Sequence, residues 1–190
     1  MKLKLSFNVP VTLGLGLLSL FFLILNSIIP GQALNSVLSA PTSLDLGSLL
    51  FYPRLFTHIM AHSGWAHYWG NLGFLLILGP LLEEKYGSWR LLSMILVTAF
   101  LTAFFNALLF STGVIGASGI VFMFIVLGSF VNTKSGTIPA TAVLVVGIWL
   151  SKEVFNAISD DNISQFAHII SGVCGSIFGV LITRKQRKLP

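Results

Sequence analysis

Charge is what this sequence does most without. Only 9% of its 190 residues are Asp, Glu, Lys or Arg, and six are acidic, against about a quarter charged in an ordinary soluble domain. So few charges cannot clothe a water-facing surface. With 55% hydrophobic residues and a mean hydropathy of +0.90, the chain belongs in a bilayer. Cysteine is also scarce. The single one, Cys174, excludes an internal disulfide framework and, lying inside an apolar run, reads as a small packing residue rather than a reactive thiol. There is no repeat of fixed period, no low-complexity linker and no stretch that reads as a soluble domain. A pI near 9.7 would suit nucleic acid, yet the eleven basic residues are scattered among apolar runs or gathered at the ends. Orientation in a membrane explains them better, and no nucleic-acid partner is expected.

What is present is apolar length. A helix crosses a bilayer in about 20 residues, and on that ruler the spacing predicts an all-α integral membrane protein, a polytopic bundle of six transmembrane helices forming one domain. Clear spans run from Val11 to Ile29, Leu91 to Phe110 and Ile163 to Ile182; weaker ones run from Trp65 to Leu82, Val114 to Val131 and Thr137 to Phe155. The longest connection, Pro30 to Ala66, contains "LGSLLFYPRLFTHIM", which reads as short helices along the membrane surface. The first span also resembles a secretory signal, with Lys2 and Lys4 ahead of it and "GQA" behind. Its apolar run exceeds the roughly 7 to 15 residues of a signal core, so a retained helix is expected.

Counting Lys and Arg by alternate loops puts Lys2, Lys4, Lys85, Arg90, Lys134, Arg184, Lys185, Arg187 and Lys188 on one side, and only Arg54 and Lys152 on the other. The positive-inside rule then places both termini in the cytoplasm. The basic carboxy-terminal run reads as an anchor on anionic membrane lipid. Asp160 and Asp161 fall outside, and Glu83 and Glu84 read as interfacial charges at the inner end of span two.

That topology makes spans two, four and six all enter from the outer face, each with its unusual polar residues in its first turns: His67 and Asn71, Ser118, and His168. His67 and Asn71, four apart, share a helical face. Ionisable and polar groups inside membrane spans turn towards the bundle interior and find partners there. Gly116 and Gly119 flank Ser118, while His168, Gly172, Gly175 and Gly179 repeat along one face of the last span, which suits tight helix packing. If the partner is span four, His168 comes to Ser118. A neutral imidazole beside a serine hydroxyl makes a nucleophile by taking its proton as attack proceeds. His67, Asn71 and the Ser118 backbone N–H would then serve the oxyanion. Each residue also has a plain structural reading, since membrane serines bond their own backbone and isolated His or Asn side chains join neighbouring helices. The coincidence of depth favours chemistry. His58 and His62 are spaced as zinc ligands on a helix would be, but no Glu follows His58 and no Asp or Cys completes a site. They are expected to brace the outer segment, with no metal and no cofactor.

Four segments in order, "HIMAHSGWAHYWGN", "LGPLLEEKYGSW", "GASG" and "AHIISGVCGSIFG", resemble the rhomboid intramembrane serine proteases of the compact bacterial kind, over most of the chain. The resemblance implies Ser118 as nucleophile, His168 as general base, His67 and Asn71 as oxyanion donors, an outer-loop role for His58 and His62, and a supporting role for Glu83. It implies a bacterial inner-membrane enzyme whose substrates are single-pass membrane proteins, cleaved in or beside the transmembrane segment. Span five, with its polar tail "SKEVFNAISDDNIS", is the expected gate. The sequence departs from the family pattern at Phe122, where Tyr is common, at Ser171, where Gly is common, at Pro53, which stands where Trp often precedes Arg54, and at Phe166, where a small residue is common. The alternative is a non-catalytic rhomboid-like protein that binds transmembrane clients. A small transporter fits less well, because there is no inverted repeat and no buried carboxylate to couple an ion.

Overall fold

The computed structural model describes residues 8–131, 133, 137–157 and 162–186. Lys2, Lys4, Lys134, Asp160, Asp161, Arg187 and Lys188 lie outside the described residues. Among those described, the chain is helical with no strand. The helices are α1 (Pro10–Ile28), α2 (Ala33–Leu38), α3 (Phe51–Thr57), α4 (Trp65–Tyr86), α5 (Ser88–Leu109), α6 (Ser118–Gly128), α7 (Ala140–Ala157) and α8 (Asn162–Gln186). Length and composition suffice for a membrane crossing in α1, in α5 and in the Gln165–Ile182 stretch of α8, and α6 is a shorter apolar helix. The arrangement is a polytopic helical membrane bundle.

The helix α6 sits in the middle of it. Ile120 to Phe124, Val126 and Leu127 are all buried, as befits a helix apolar on every side. It begins at Ser118, later than hydropathy alone suggests, because the residues before it spend their backbone groups elsewhere. The Val114 carbonyl accepts from the Ala40 N–H at 2.9 Å, and the Gly116 N–H donates to the His58 carbonyl at 2.9 Å. Both partners belong to the outer segment between α1 and α4. That segment folds as α2, α3 and short 3-10 turns at Pro30–Gln32 and His58–Met60. Arg54 stitches it, donating from Nε to the Ser39 carbonyl at 2.7 Å and from its terminal nitrogen to Ser39 Oγ at 3.1 Å and the Ala40 carbonyl at 3.3 Å. Asn106 of α5 donates to the carbonyls of Pro41 and Thr112, each at 3.0 Å. Phe51 and Leu55 of α3 pack on Ala103 and Ala107 of α5.

On the opposite side α1 and α4 are clamped at one end by a carboxylate. Glu83 is buried, not interfacial as its position suggests. Its oxygens accept from the Val11 N–H at 2.9 Å, the Thr12 N–H at 2.9 Å and the Thr12 hydroxyl at 2.8 Å. The first N–H groups of a helix have no partner within it, and a negative charge there also meets the positive end of the helix dipole. Glu83 therefore supplies in trans the cap that the start of α1 lacks. Gly79 permits the approach, since a Cβ there would collide with the Thr12 side chain. Glu84 is exposed and accepts from the Asn8 amide at 3.0 Å. One turn farther along α1, the Gly16 carbonyl accepts from the hydroxyl of Tyr68, near the start of α4, at 3.2 Å.

Among the described residues, the most extensive contact between two helices is the seam between α6 and α8. A Cβ on Gly172 would stand 2.6 Å from the Phe122 ring, one on Gly175 would stand 2.8 Å from the Met123 carbonyl and 3.1 Å from Val126, and one on Gly179 would enter the Phe130 ring. Phe122, Val126 and Phe130 thus form a ridge with a four-residue step, set into a trough of glycines. Cys174 is buried in the neighbouring core.

Replacing Glu83 by Ala leaves three donors without an acceptor and is expected to lower stability by about 1–3 kcal/mol, whereas Glu84→Ala changes little. Thermal unfolding of the two variants in detergent checks this; equal losses would remove the cap from the account.

Candidate active site

Ser118 and Phe122 are one turn apart on α6, and His168 and Gly172 are one turn apart on α8. With Phe122 seated on Gly172, the next rung of the same seam is Ser118 with His168. His168 Nε2 lies 3.0 Å from Ser118 Oγ, a distance at which the hydroxyl donates to a neutral imidazole. Both side chains are half-buried. The Phe122 ring stands edge-on to the imidazole, with centroids 6.3 Å apart and planes at 70°. Gly119, on the next position, faces Ser171: a Cβ there would stand 2.7 Å from Ser171 Oγ, and that hydroxyl donates to the Ala167 carbonyl at 2.8 Å.

The turn into α6 brings a second set of polar groups to the same place. Gly116 has φ +116°, a backbone conformation that favours glycine. A Cβ on it would stand 2.6 Å from His67 Cε1, 2.7 Å from His67 Nε2 and 3.6 Å from Asn71 Nδ2. The imidazole and the amide of α4 therefore lie directly against the backbone that leads into Ser118. Because α6 starts at Ser118, its first N–H groups have no partner in the helix. His67 and Asn71 of α4 thus lie against the Gly116 turn, two residues before Ser118 and the free N–H groups at the start of α6.

The histidines of the outer segment stand behind it. His58 is buried and its imidazole is lowered to about 4 by that burial, the nearby Arg54 carbonyl opposing. His62 is lowered to about 4, first by burial, then by the neighbouring His67, with the Met60 carbonyl opposing. Both rings are neutral at pH 7. His62 Nδ1 lies 3.2 Å from the Met60 carbonyl, and His62 Nε2 lies 3.1 Å from Asn71 Nδ2. The Asn35 amide holds the His62 carbonyl at 3.0 Å. These are bracing contacts within the outer segment and from it to α4.

The family model for the Rhomboid domain matches residues 51–185. The chain belongs to the rhomboid family. No curated protein matches it. The matched region begins with α3 and takes in every helix of the site, so the rhomboid domain and the Ser118 cluster coincide. The departures of this rhomboid from the usual pattern have visible neighbours. Phe122 keeps an aromatic edge towards His168, Ser171 fills the space over Gly119, and Phe166 packs on Phe110 with ring centroids 5.2 Å apart.

Sequence reasoning passed over Ser63, whose hydroxyl lies 3.1 Å from His67 Nδ1. If the hydroxyl donates, the ring proton sits on Nε2, the atom facing Gly116. Its four-residue spacing from His67 was visible, but Ser63 precedes the start of α4 at Trp65, so helical periodicity did not mark it. Gly175 and Gly179 line the seam farther along α8, away from the polar cluster.

Gly116→Ala adds strain of about 1–3 kcal/mol and drives a methyl group into His67. A folded variant with the reactivity of its serine towards a fluorophosphonate cut by about tenfold to a hundredfold is expected. Undiminished labelling would show that the Gly116 turn does not shape the site.

Proposed function

We propose that the protein is an intramembrane serine endopeptidase that hydrolyses peptide bonds in or beside the transmembrane segments of single-pass membrane proteins. The observation that carries this reading is the 3.0 Å contact between His168 Nε2 and Ser118 Oγ in a chain of the rhomboid family. Ser118 attacks the scissile carbonyl as His168 takes its proton. The carbonyl oxygen, now negative, meets the N–H of Ser118 with donors from His67 and Asn71. His168 returns the proton to the leaving amine, and the acyl group stays on Ser118. A water molecule, deprotonated by the same imidazole, releases it. An enclosed void of about 10 Å³ behind Ser118, lined by His58, Thr102 and Ser171 among others, is of the order needed for one water.

A helical substrate hides its peptide bonds in its own hydrogen bonds, and the hydrocarbon layer offers no replacement partners. Cleavage therefore belongs near the outer surface, where the end of a substrate helix frays. The distribution of basic residues favours both termini in the cytoplasm, with the Ser118 cluster towards the outside; that the membrane is a bacterial inner membrane is what the resemblance to compact bacterial rhomboids implies. Substrate approach runs through the bundle wall between α4 and α7; the groove of about 1150 Å³ between these helices lies at their inner ends, beside Leu81, Glu84, Lys85, Gly128 and Thr141, and not at the depth of Ser118. Movement of α7 opens this route. The alternative, a rhomboid-like binder of transmembrane clients, would use the same route without the Ser118 chemistry.

Purified protein in detergent is expected to cleave a single-pass model substrate and to react with a fluorophosphonate. Ser118→Ala and His168→Ala should each lose about 10⁴-fold or more of the cleavage. A folded wild-type protein that neither reacts nor cleaves across several substrates fits the binder. An engineered disulfide joining α7 to α4 is expected to block cleavage until it is reduced; cleavage untouched by the cross-link would rule out α7 as the gate.

A further inference from the structure

Asn71 is asked to donate to an oxyanion, yet a carboxamide presents a donor on one side and an acceptor on the other. Rotation by 180° about its last bond would aim oxygen where nitrogen is needed, and a negative oxygen would then meet repulsion. Something must fix the orientation. The neighbouring His62 has the chemistry to do it. Its Nδ1 lies 3.2 Å from the Met60 carbonyl, and a carbonyl only accepts, so Nδ1 carries the proton. Its Nε2 lies 3.1 Å from Asn71 Nδ2. The buried ring is neutral at pH 7 and has one proton, so with that proton on Nδ1 its Nε2 offers a lone pair. A lone pair admits only the NH₂ side of Asn71. One N–H of that group is then tied to His62, and the same nitrogen is the Asn71 atom facing Gly116, with its second N–H left for the site.

His62 is itself held firmly. It is 1% exposed, its carbonyl accepts from Asn35 at 3.0 Å, and its ring meets those of His67 and Tyr68 edge-on at centroid separations of 5.0 and 5.5 Å. We infer that the Met60 carbonyl, His62 and Asn71 form a positioning relay, in which the tautomer of His62 selects the face of the Asn71 amide that meets the oxyanion. His62 touches no reacting atom; it acts through Asn71. The inference rests on the protease reading for its purpose, and on the hydrogen bonds alone for its geometry.

Two measurements test it. The first is the ring ¹⁵N spectrum of histidine-labelled wild-type protein, in which His62 should show a protonated Nδ1 and a bare Nε2; the opposite tautomer would overturn the relay whether or not the protein cleaves anything. The second is a double-mutant cycle on cleavage. His62→Leu should lower kcat by about 10- to 100-fold with KM changed less than about twofold, no more than the roughly 10²- to 10³-fold cost of losing an oxyanion donor outright. His62→Gln, which has a donor for Met60 and an acceptor for Asn71, should recover most of that loss. In the Asn71→Ala background, His62→Leu should cost less than about twofold more. Full additivity in the cycle would reduce His62 to a structural brace and end the proposal. A wild type with the expected tautomer and no cleavage would count against the protease reading while supporting the relay.

Discussion

The distance between α6 and α8 is the constraint on which the rest depends. Two helices with ordinary side chains between them lie about 8–10 Å apart, and a serine on one meets a histidine on the other only where the seam is drawn tight. Gly172, Gly175 and Gly179 draw it tight, and the apolar ridge of Phe122, Val126 and Phe130 fills what the glycines leave. Between helices in lipid, the hydrophobic effect contributes little, and contact area and shape carry the association. The polar pair at the end of the seam is placed by apolar packing along its length.

The other two layers of the fold act on the position of Ser118 from outside. The outer segment holds the turn ahead of α6 through His58, Ala40 and the Arg54 contacts, and in doing so ends the helix on its N-terminal side at Ser118. The helix α4 brings His67 and Asn71 to the same turn, and is itself fixed to α1 by Glu83. A buried carboxylate in a membrane bundle is costly unless its oxygens are satisfied; here two backbone N–H groups and a hydroxyl meet them. The buried charge also ties α1 and α4 in one register, because only one alignment offers those three donors.

Much of this was legible from residue order. Low charge and apolar length give the membrane bundle, and alternate entry from one face gives the shared depth of His67, Asn71, Ser118 and His168. Both are periodic signals, and periodicity survives in one dimension. The crossing of α6 over α8 is not periodic: the glycines announce a trough, but nothing in the sequence names Phe122, Val126 and Phe130 as what fills it. Glu83 read as interfacial because its neighbours Glu84 and Lys85 are charged; its burial depends on donors some seventy residues earlier, at Val11 and Thr12. Ser63 escaped because it lies in a turn, where spacing carries no fixed direction. The late start of α6 follows from hydrogen bonds to His58 and Ala40 that a hydropathy window cannot register.

His168 sits on α8, the last helix of the matched region, while Ser118 is made well before it. During synthesis a chain that has not yet delivered α8 carries a hydroxyl with no base beside it and a seam with only its ridge. Chemical competence, in the reading proposed above, is thus a property of the finished bundle. In that reading an unfinished or misinserted copy has no base with which to activate Ser118, so the order of synthesis itself keeps the hydroxyl quiet until the bundle closes.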